Sequence, residues 1–514
     1  MFASETKSIW WLPTFGFGLF LAIELSMFAL PGLIFEDPGV GRHLRTAEVI
    51  LETGVIPHTD PLSFTKGGQP WFDFEWAFET TIGELYRAGG LALVCAFCFA
   101  VFASTVLNVY RMLLHSGLPT GVLIFTTGVA WLTLHLHFSV RPVLFTYLFM
   151  AIVVEVWRRQ PRPRLMDWLL LPVIFVAWAN IHAGWLAALL FLAGSLAGRM
   201  LDRFLDRVVS QEAPLLPWVV LTLVCTVATS LNPWGWALHK HVFLMATTYK
   251  SFALWDEYLP PNFGAPSLSA LTVLFVVFTV FFARGCKNAP PWRWESLLPV
   301  LFFLYEGLKA QRHVLLLIEV AAVPVARDLA VLLQGAWPDI LRIWLPFITE
   351  IGEGIGDRLK EFQARQRAAG GDAWLALVAV LIFTWLFLRA PIGHEIVVGK
   401  SVTPKLVAFL KDHPDRFHRP LTTTWNAGPL LWNMRPDFRV SFDDRGDFYG
   451  DDTVFEFVNM MNGSSGWQEK LEKGNYDSIL IDPYLQMNQL LHFLPEWKEV
   501  YRDEHVVVYW RDKS

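Results

Sequence analysis

Charge is scarce in this 514-residue chain: Asp, Glu, Lys and Arg make up 17% of it, against 54% hydrophobic residues. A soluble globular chain carries about 25% charge. The deficit excludes a disordered, collagen-like or fibrous protein and points to a chain held largely in lipid. The net charge of −5 leaves no global basic field, which argues against a nucleic-acid partner. Cysteine is rare too, at four residues. Cys95 and Cys98 lie one turn apart in an apolar run and read as small packing side chains. No cysteine falls in a segment expected outside the cell, so no disulfide framework is on offer. The tail has neither G-x-G-x-x-G nor a P-loop, and the chain has no H-E-x-x-H. Internal repeats and low-complexity tracts are missing as well.

Apolar runs and aromatics are abundant, with 24 Trp and 41 Phe, many near the run ends where interfacial belts form. A helix needs about 20 apolar residues to cross a bilayer. Eleven stretches qualify as candidates: 9–34, 90–113, 119–137, 142–158, 168–182, 184–201, 216–233, 267–284, 295–309, 313–333 and 373–390. With a cytoplasmic N-terminus, the inner loops then hold Arg111; Arg158, Arg159, Arg162 and Arg164; Arg199, Arg203 and Arg207; Arg284, Lys287 and Arg293; and Arg358, Lys360, Arg365 and Arg367. Basic residues accumulate on the cytoplasmic side. One span more or fewer would scramble that bias. The first run is too long for a signal-peptide core and is read as a retained span.

The expected fold is a polytopic α-helical membrane protein of about eleven transmembrane helices. Residues 1–390 form its membrane part, with a first outer loop at 36–89 and a cytoplasmic connector at 334–372. Residues 391–514 are richer in charge and alternate strand-like runs (Ser478 to Asp482, Val506 to Tyr509) with helical ones (Thr403 to Lys411, Gln486 to Phe493). That pattern predicts an extracytoplasmic, soluble α/β domain.

The first outer loop carries the chemistry. Val40, Leu44, Ala47 and Leu51 recur at helical spacing and Gly54 follows as a natural stop. This predicts an amphipathic helix on the outer leaflet. Around it the loop holds Glu36, Asp37, Asp60, Asp73 and Glu75 with His43 and His58. Asp37 stands where the first span meets the outer headgroups. A carboxylate there is partly desolvated beside lipid phosphates, a setting for proton transfer.

Asp37-Pro-Gly-Val-Gly-Arg-His-Leu-Arg-Thr-Ala-Glu48, Gly54-Val-Ile-Pro57, Asp60-Pro-Leu-Ser63 and Trp71-Phe-Asp-Phe-Glu-Trp76 follow one another in order. Arg141-Pro142, Trp178-Ala-Asn-Ile-His182, Leu231-Asn-Pro-Trp-Gly235, Gln311-Arg-His313 and, in the tail, Ser441-Phe-Asp-Asp-Arg-Gly-Asp447 with Tyr449 continue the series. In these motifs the chain resembles the bacterial integral-membrane glycosyltransferases of the GT-C superfamily. The likeness is to the polyprenyl-phosphate-sugar-dependent, mannosyltransferase-like group. The resemblance implies a many-span fold, a catalytic Asp in the first outer loop and a polyprenyl-phosphate sugar as donor. Relatives often carry a second acid two residues on, where this chain has Gly39. Asp37 is thus the expected base, with Glu36 and Asp60 as possible helpers.

The chemistry itself asks for the same parts. An outer-face site has no access to cytoplasmic nucleotide sugars, so the sugar must arrive on a lipid. A carboxylate suffices as base for an inverting single displacement. Cations are needed for the departing phosphate, and arginine pairs with phosphate in a fork. Arg141 and Arg312 break the inside bias of positive charge and are the first candidates; Arg42, Lys309 and His313 follow. His58, Asp73, Glu75, Asn180 and His182 are expected to line the substrate cavity. His135, His137, His182, His239, His241 and His313 map to the outer mouth, so a divalent metal is conceivable, although no ligand motif assigns one.

Trp255, Asp256 and Glu257 are candidates to touch the acceptor, and Asp443, Asp444, Arg445, Asp447 and Tyr449 form either a local turn or an acceptor-facing surface. Glu24 and Glu319 fall inside spans, where a hydrogen bond or ion pair within the bundle is expected. The leading function is transfer of a sugar from a polyprenyl-phosphate donor to a glycan, lipid or protein, in the bacterial inner membrane. The alternatives are a flippase for lipid-linked saccharides and a non-catalytic scaffold of envelope polysaccharide assembly.

Overall fold

A computed structural model describes residues 9–29, 37–136, 138–159, 161–205, 214–286, 291–335, 361–389 and 401–512. The chain is mostly helical up to residue 389. Helices lie over the apolar runs, with α2 and α9 between them: α1 (Phe15–Ala29), α2 (Gly39–Thr53), α3 (Trp76–Leu114), α4 (Thr120–His135), α5 (Val143–Arg159), α6 (Leu165–Ala179), α7 (Trp185–Phe204), α8 (Leu216–Ala228), α9 (Trp236–Thr247), α10 (Leu268–Arg284), α11 (Trp294–Lys309), α12 (Val314–Gly335) and α13 (Asp372–Arg389). Among the described residues, α3 and α7 are long and apolar enough to cross a membrane, and six further apolar helices are shorter. One core unites the helices, with Tyr110, Trp178, Trp218 and Phe303 among its fully buried side chains. Most of the connector 334–372 lies outside the described residues.

The tail builds a four-stranded sheet from β1 (Pro420–Leu421), β2 (Ser478–Ile481), β3 (Trp497–Arg502) and β4 (Val507–Arg511), in the order β1-β2-β4-β3. The β1–β2 pair is parallel and the rest antiparallel. Strand β2 is buried throughout, which suits its Ile479-Leu480-Ile481 run. Helices α14 (Pro404–Asp412), α15 (Thr424–Asn433) and α16 (Gly446–Met461) pack around the sheet region.

Helix α2 ends at Gly54, whose φ of 68° is left-handed and whose N–H reaches the Ile50 carbonyl at 2.8 Å. Its apolar face does not lie on a lipid leaflet as its amphipathic pattern suggested. Val40, Leu44 and Ala47 are buried between α3 and α15. Two glycines permit this crossing. A Cβ on Gly41 would meet the Gly428 carbonyl oxygen at 2.2 Å, and one on Gly428 would meet the Pro38 carbonyl oxygen at 1.9 Å. Backbone contact there holds the tail directly over the Asp37 turn.

Candidate active site

The α2–α15 crossing closes one wall of a cavity of about 1170 Å³. Its lining comes from every part of the chain: Asp37 before α2, Asp73 and Glu75 before α3, Arg141 before α5, His182 before α7, Glu257 and Tyr258, Arg312 and His313 before α12, and Asp444 and Asp447 from the tail. Most of these residues sit at helix starts, where the chain leaves one apolar run and enters another.

An ion chain runs along the accessible part of the wall. Asp37 Oδ2 lies 2.6 Å from Arg141 Nε, and Arg141 Nη2 donates to Asp37 Oδ1 at 2.9 Å. The Gly39 N–H also donates to Asp37 Oδ1, at 2.8 Å. Arg141 Nη1 reaches Glu257 Oε2 at 3.5 Å, and Arg312 Nη1 donates to Glu257 Oε1 at 3.0 Å. The Arg312 guanidinium lies 4.4 Å from the Tyr258 ring centroid. Burial disfavours the charge on Arg141, but Asp37 and Glu257 outweigh it and hold its pKa above the ordinary value. Asp37 and Arg141 are therefore in direct contact.

A second cluster lies deeper. Arg42, 5% exposed, donates through Nε to Asp444 Oδ1 at 2.7 Å, through Nη1 to Glu79 Oε1 at 3.2 Å and through Nη2 to Glu75 Oε2 at 3.4 Å. The same Nη2 lies 3.1 Å from His43 Nε2, while His43 Nδ1 lies 2.9 Å from Glu79 Oε1. Burial, then Arg42, pushes His43 well below its ordinary pKa. The neutral ring accepts at Nε2 and donates at Nδ1. Burial raises Asp73 and Glu75 to about 7, with Arg42 opposing in both cases. Asp73 meets Glu79, and a carboxyl pair of this kind bridges only while one member keeps its proton. Burial also raises Asp444, yet Arg42 and Arg141 hold it below its ordinary value.

His182 accepts the Gly184 N–H at Nδ1 (3.1 Å), with the Thr146 hydroxyl at 2.8 Å. Thr146 in turn accepts the Trp178 indole N–H. Burial, then Arg312 and Arg141, lowers His182 to about 3, so the ring is neutral with its hydrogen on Nε2. His313 lines the cavity with Nδ1 against the Glu306 carboxylate at 3.4 Å. Lys309 also lines it, paired at 3.8 Å with Glu306.

Three expected site residues are spent elsewhere. Asp60 closes a turn, accepting from the Leu62 N–H at 3.0 Å and the Ser63 N–H at 3.1 Å, and pairs with Arg445 at 2.9 Å. Asn180 bonds the Trp76 indole N–H and the Val176 and Leu231 carbonyls, which staples α3, α6 and the turn after α8. His58 packs on Trp234 at 5.1 Å, outside the cavity lining. Glu36 and His137 lie outside the described residues. Glu24 and Glu319 are buried, and among the described residues neither carboxyl has a hydrogen-bond partner, in place of the expected hydrogen bond or ion pair. Glu257, a candidate to touch the acceptor, bridges two arginines.

The tail cluster divides between a local turn and the cavity wall. Asp443 holds the Arg445 side chain and the Tyr449 hydroxyl, forming a local turn. Asp444 and Asp447 face the cavity, the latter 3.0 Å from His241. A Cβ on Gly39 would lie 2.9 Å from Asp444 Oδ2. The space beside residue 39 is thus filled by a carboxylate from residue 444. Glu79 was missed in the sequence. The available signal was its spacing four residues after Glu75, which puts both acids on one helical face.

No family model matches the chain, and no curated protein does. Solved structures similar to it include the Archaeoglobus fulgidus oligosaccharyltransferase in the apo form, at 12% identity and TM-score 0.49, over 91% of this chain and 69% of that one. ArnT from Cupriavidus metallidurans matches over 96% of this chain and 97% of that one. Its form bound to undecaprenyl phosphate gives 15% identity and TM-score 0.42, and its apo form 14% and 0.43. Identities this low carry no residue roles across.

A divalent metal would find ligand-type atoms of His43, Glu75 and Glu79 within 4.8 Å of one another. The donor set does not fit one. Arg42 donates to both carboxylates and occupies the His43 Nε2 lone pair, while Nδ1 carries a hydrogen. The guanidinium already supplies the positive charge that these acids require.

Proposed function

We propose that the chain is a membrane glycosyltransferase that moves a sugar from a polyprenyl-phosphate donor to an acceptor hydroxyl, with inversion at the anomeric carbon. The carrying observation is that a carboxylate, Asp37, and a forked cation, Arg141, share one wall of a large cavity with Arg312 beside them. Asp37 takes the acceptor hydroxyl proton as the new C1–O bond forms. The C1–O bond to phosphate breaks, and its electron pair stays on the phosphate oxygen. Arg141 and Arg312 stabilise the second negative charge that appears there. His182 offers its Nε2–H to a sugar or phosphate oxygen. Asp73 and Glu75, titrating at about 7, support the wall and do not contact the reacting atoms in this scheme.

In the same reading, eleven helices cross the bacterial inner membrane with the N-terminus cytoplasmic. Residues 391–514 form an extracytoplasmic α/β domain that roofs the cavity. The acceptor (glycan, lipid or protein) enters from the aqueous side, and the lipid tail of the donor from the outer leaflet. The test is discharge of synthetic undecaprenyl-phosphate sugars by the full chain in nanodiscs. Release of undecaprenyl phosphate that disappears in Asp37→Asn supports the reading. Equal release by wild type and this variant rejects Asp37 as base.

A further inference from the structure

Both oxygens of Asp37 are engaged by one edge of the Arg141 guanidinium, through Nε and Nη2. That edge is the fork with which arginine grips a phosphate. It cannot hold a carboxylate and a phosphate together. The pair sits at the cavity, with the Arg141 side chain 31% and the Asp37 side chain 13% exposed, so an anion can reach it. Asp37 also has a donor that does not move, the Gly39 N–H at 2.8 Å. This contact can keep the carboxylate at the wall when the arginine lets go.

Resting on the function proposed above, we infer that Asp37 and the donor phosphate compete for the same edge of Arg141, so that phosphate binding and release of the base are one event. With the site empty, both Asp37 oxygens are occupied by Arg141 and are not presented to an acceptor. A lipid phosphodiester displaces Asp37, and the freed carboxylate faces the acceptor hydroxyl. After transfer Asp37 carries the proton, and the doubly charged lipid phosphate holds Arg141. Loss of that proton to water restores the carboxylate, which returns to Arg141 and helps to expel the product. The order of binding is then donor first, acceptor second.

The test is the affinity of the full chain in nanodiscs for undecaprenyl phosphate, read by titration calorimetry on four variants. Asp37→Asn should bind about tenfold tighter than wild type, because the internal competitor is gone. Asp447→Asn removes a cavity acid that pairs with His241 and not with an arginine, and should leave affinity unchanged. Arg141→Gln should bind about tenfold weaker. Should Asp37→Asn fail to fold, Asp37→Ser removes the same charge and tests the same point. Affinity in the Asp37 variants equal to or weaker than wild type overturns the exchange, as does equal tightening in Asp447→Asn. Wild-type affinity in Arg141→Gln instead strikes the phosphate role of Arg141 in the proposed function, and wild-type turnover in Asp37→Asn strikes the base.

Discussion

The Asp37–Arg141 pair and the Arg42 cluster use the same groups at different depths. Arg141 keeps 31% of its side chain exposed and meets two acids. Arg42 keeps 6% and meets three acids and a histidine. Charges near water can trade partners at modest cost, whereas a buried charge that loses its partner leaves others uncompensated. The outer pair is therefore suited to exchange, and the inner one to holding α2, the start of α3 and the tail in a fixed relation. Arg42 reaches Asp444 across 402 residues of chain. Under the proposed function the difference separates chemistry from support, with turnover assigned to the outer pair and folding to the inner one.

The largest expected effect falls on the outer pair. Asp37→Asn should slow transfer by roughly 10²–10⁴-fold, the usual worth of a positioned base. Single-turnover discharge of lipid-linked sugar measures it, and a loss under tenfold would break the assignment. The inner cluster should answer in stability. Arg42→Gln should cost about 3–5 kcal/mol, because Glu75, Glu79 and Asp444 lose their shared cation. Chemical denaturation checks this against Arg141→Gln, which should change stability by roughly 1 kcal/mol or less. Equal losses would erase the contrast between rim and interior.

Arg312→Gln should weaken binding of undecaprenyl phosphate by about 1.5–3 kcal/mol, the span for a hydrogen bond to a charged group. An unchanged dissociation constant would remove Arg312 from the phosphate site. A pH slope accompanies these effects. Burial holds Asp73 and Glu75 at about 7, above the ordinary carboxylate range, so the native state keeps protons that the unfolded chain releases. Their stabilising contribution is full below about pH 4 and is lost as pH rises through 7, at up to about 1.4 kcal/mol per pH unit for each group. Melting temperature should fall from pH 5 to 8 in wild type and fall less in Asp73→Asn. A flat wild-type profile would contradict the buried carboxyls.

Much of this was legible in the chain before folding. Among the described residues each apolar run carries a helix, Gly54 ends α2, and Asp37, Arg141, Arg312, Asp73, Glu75 and His182 all reach the cavity. Apolar patterning and helix stops are local, and a short sequence window records them. The partners of those residues were not legible. Asp60, His58 and Asn180 carry the same polar groups as the cavity residues, and only their contacts distinguish a turn staple from a ligand. Val40, Leu44 and Ala47 announce an apolar face without saying whether lipid or protein will cover it.

Sequence by itself determined the helical class, the scarcity of charge and the clustering of polar residues at helix starts. These follow from burial and from the hydrogen-bond demands of single segments. Tertiary structure alone decided that Asp37 rests on Arg141, that Arg42 stands among three acids, and that Asp444 fills the space beside Gly39. Ion pairs between distant segments depend on where a whole chain can close upon itself, and here that point is the glycine crossing of α2 with α15.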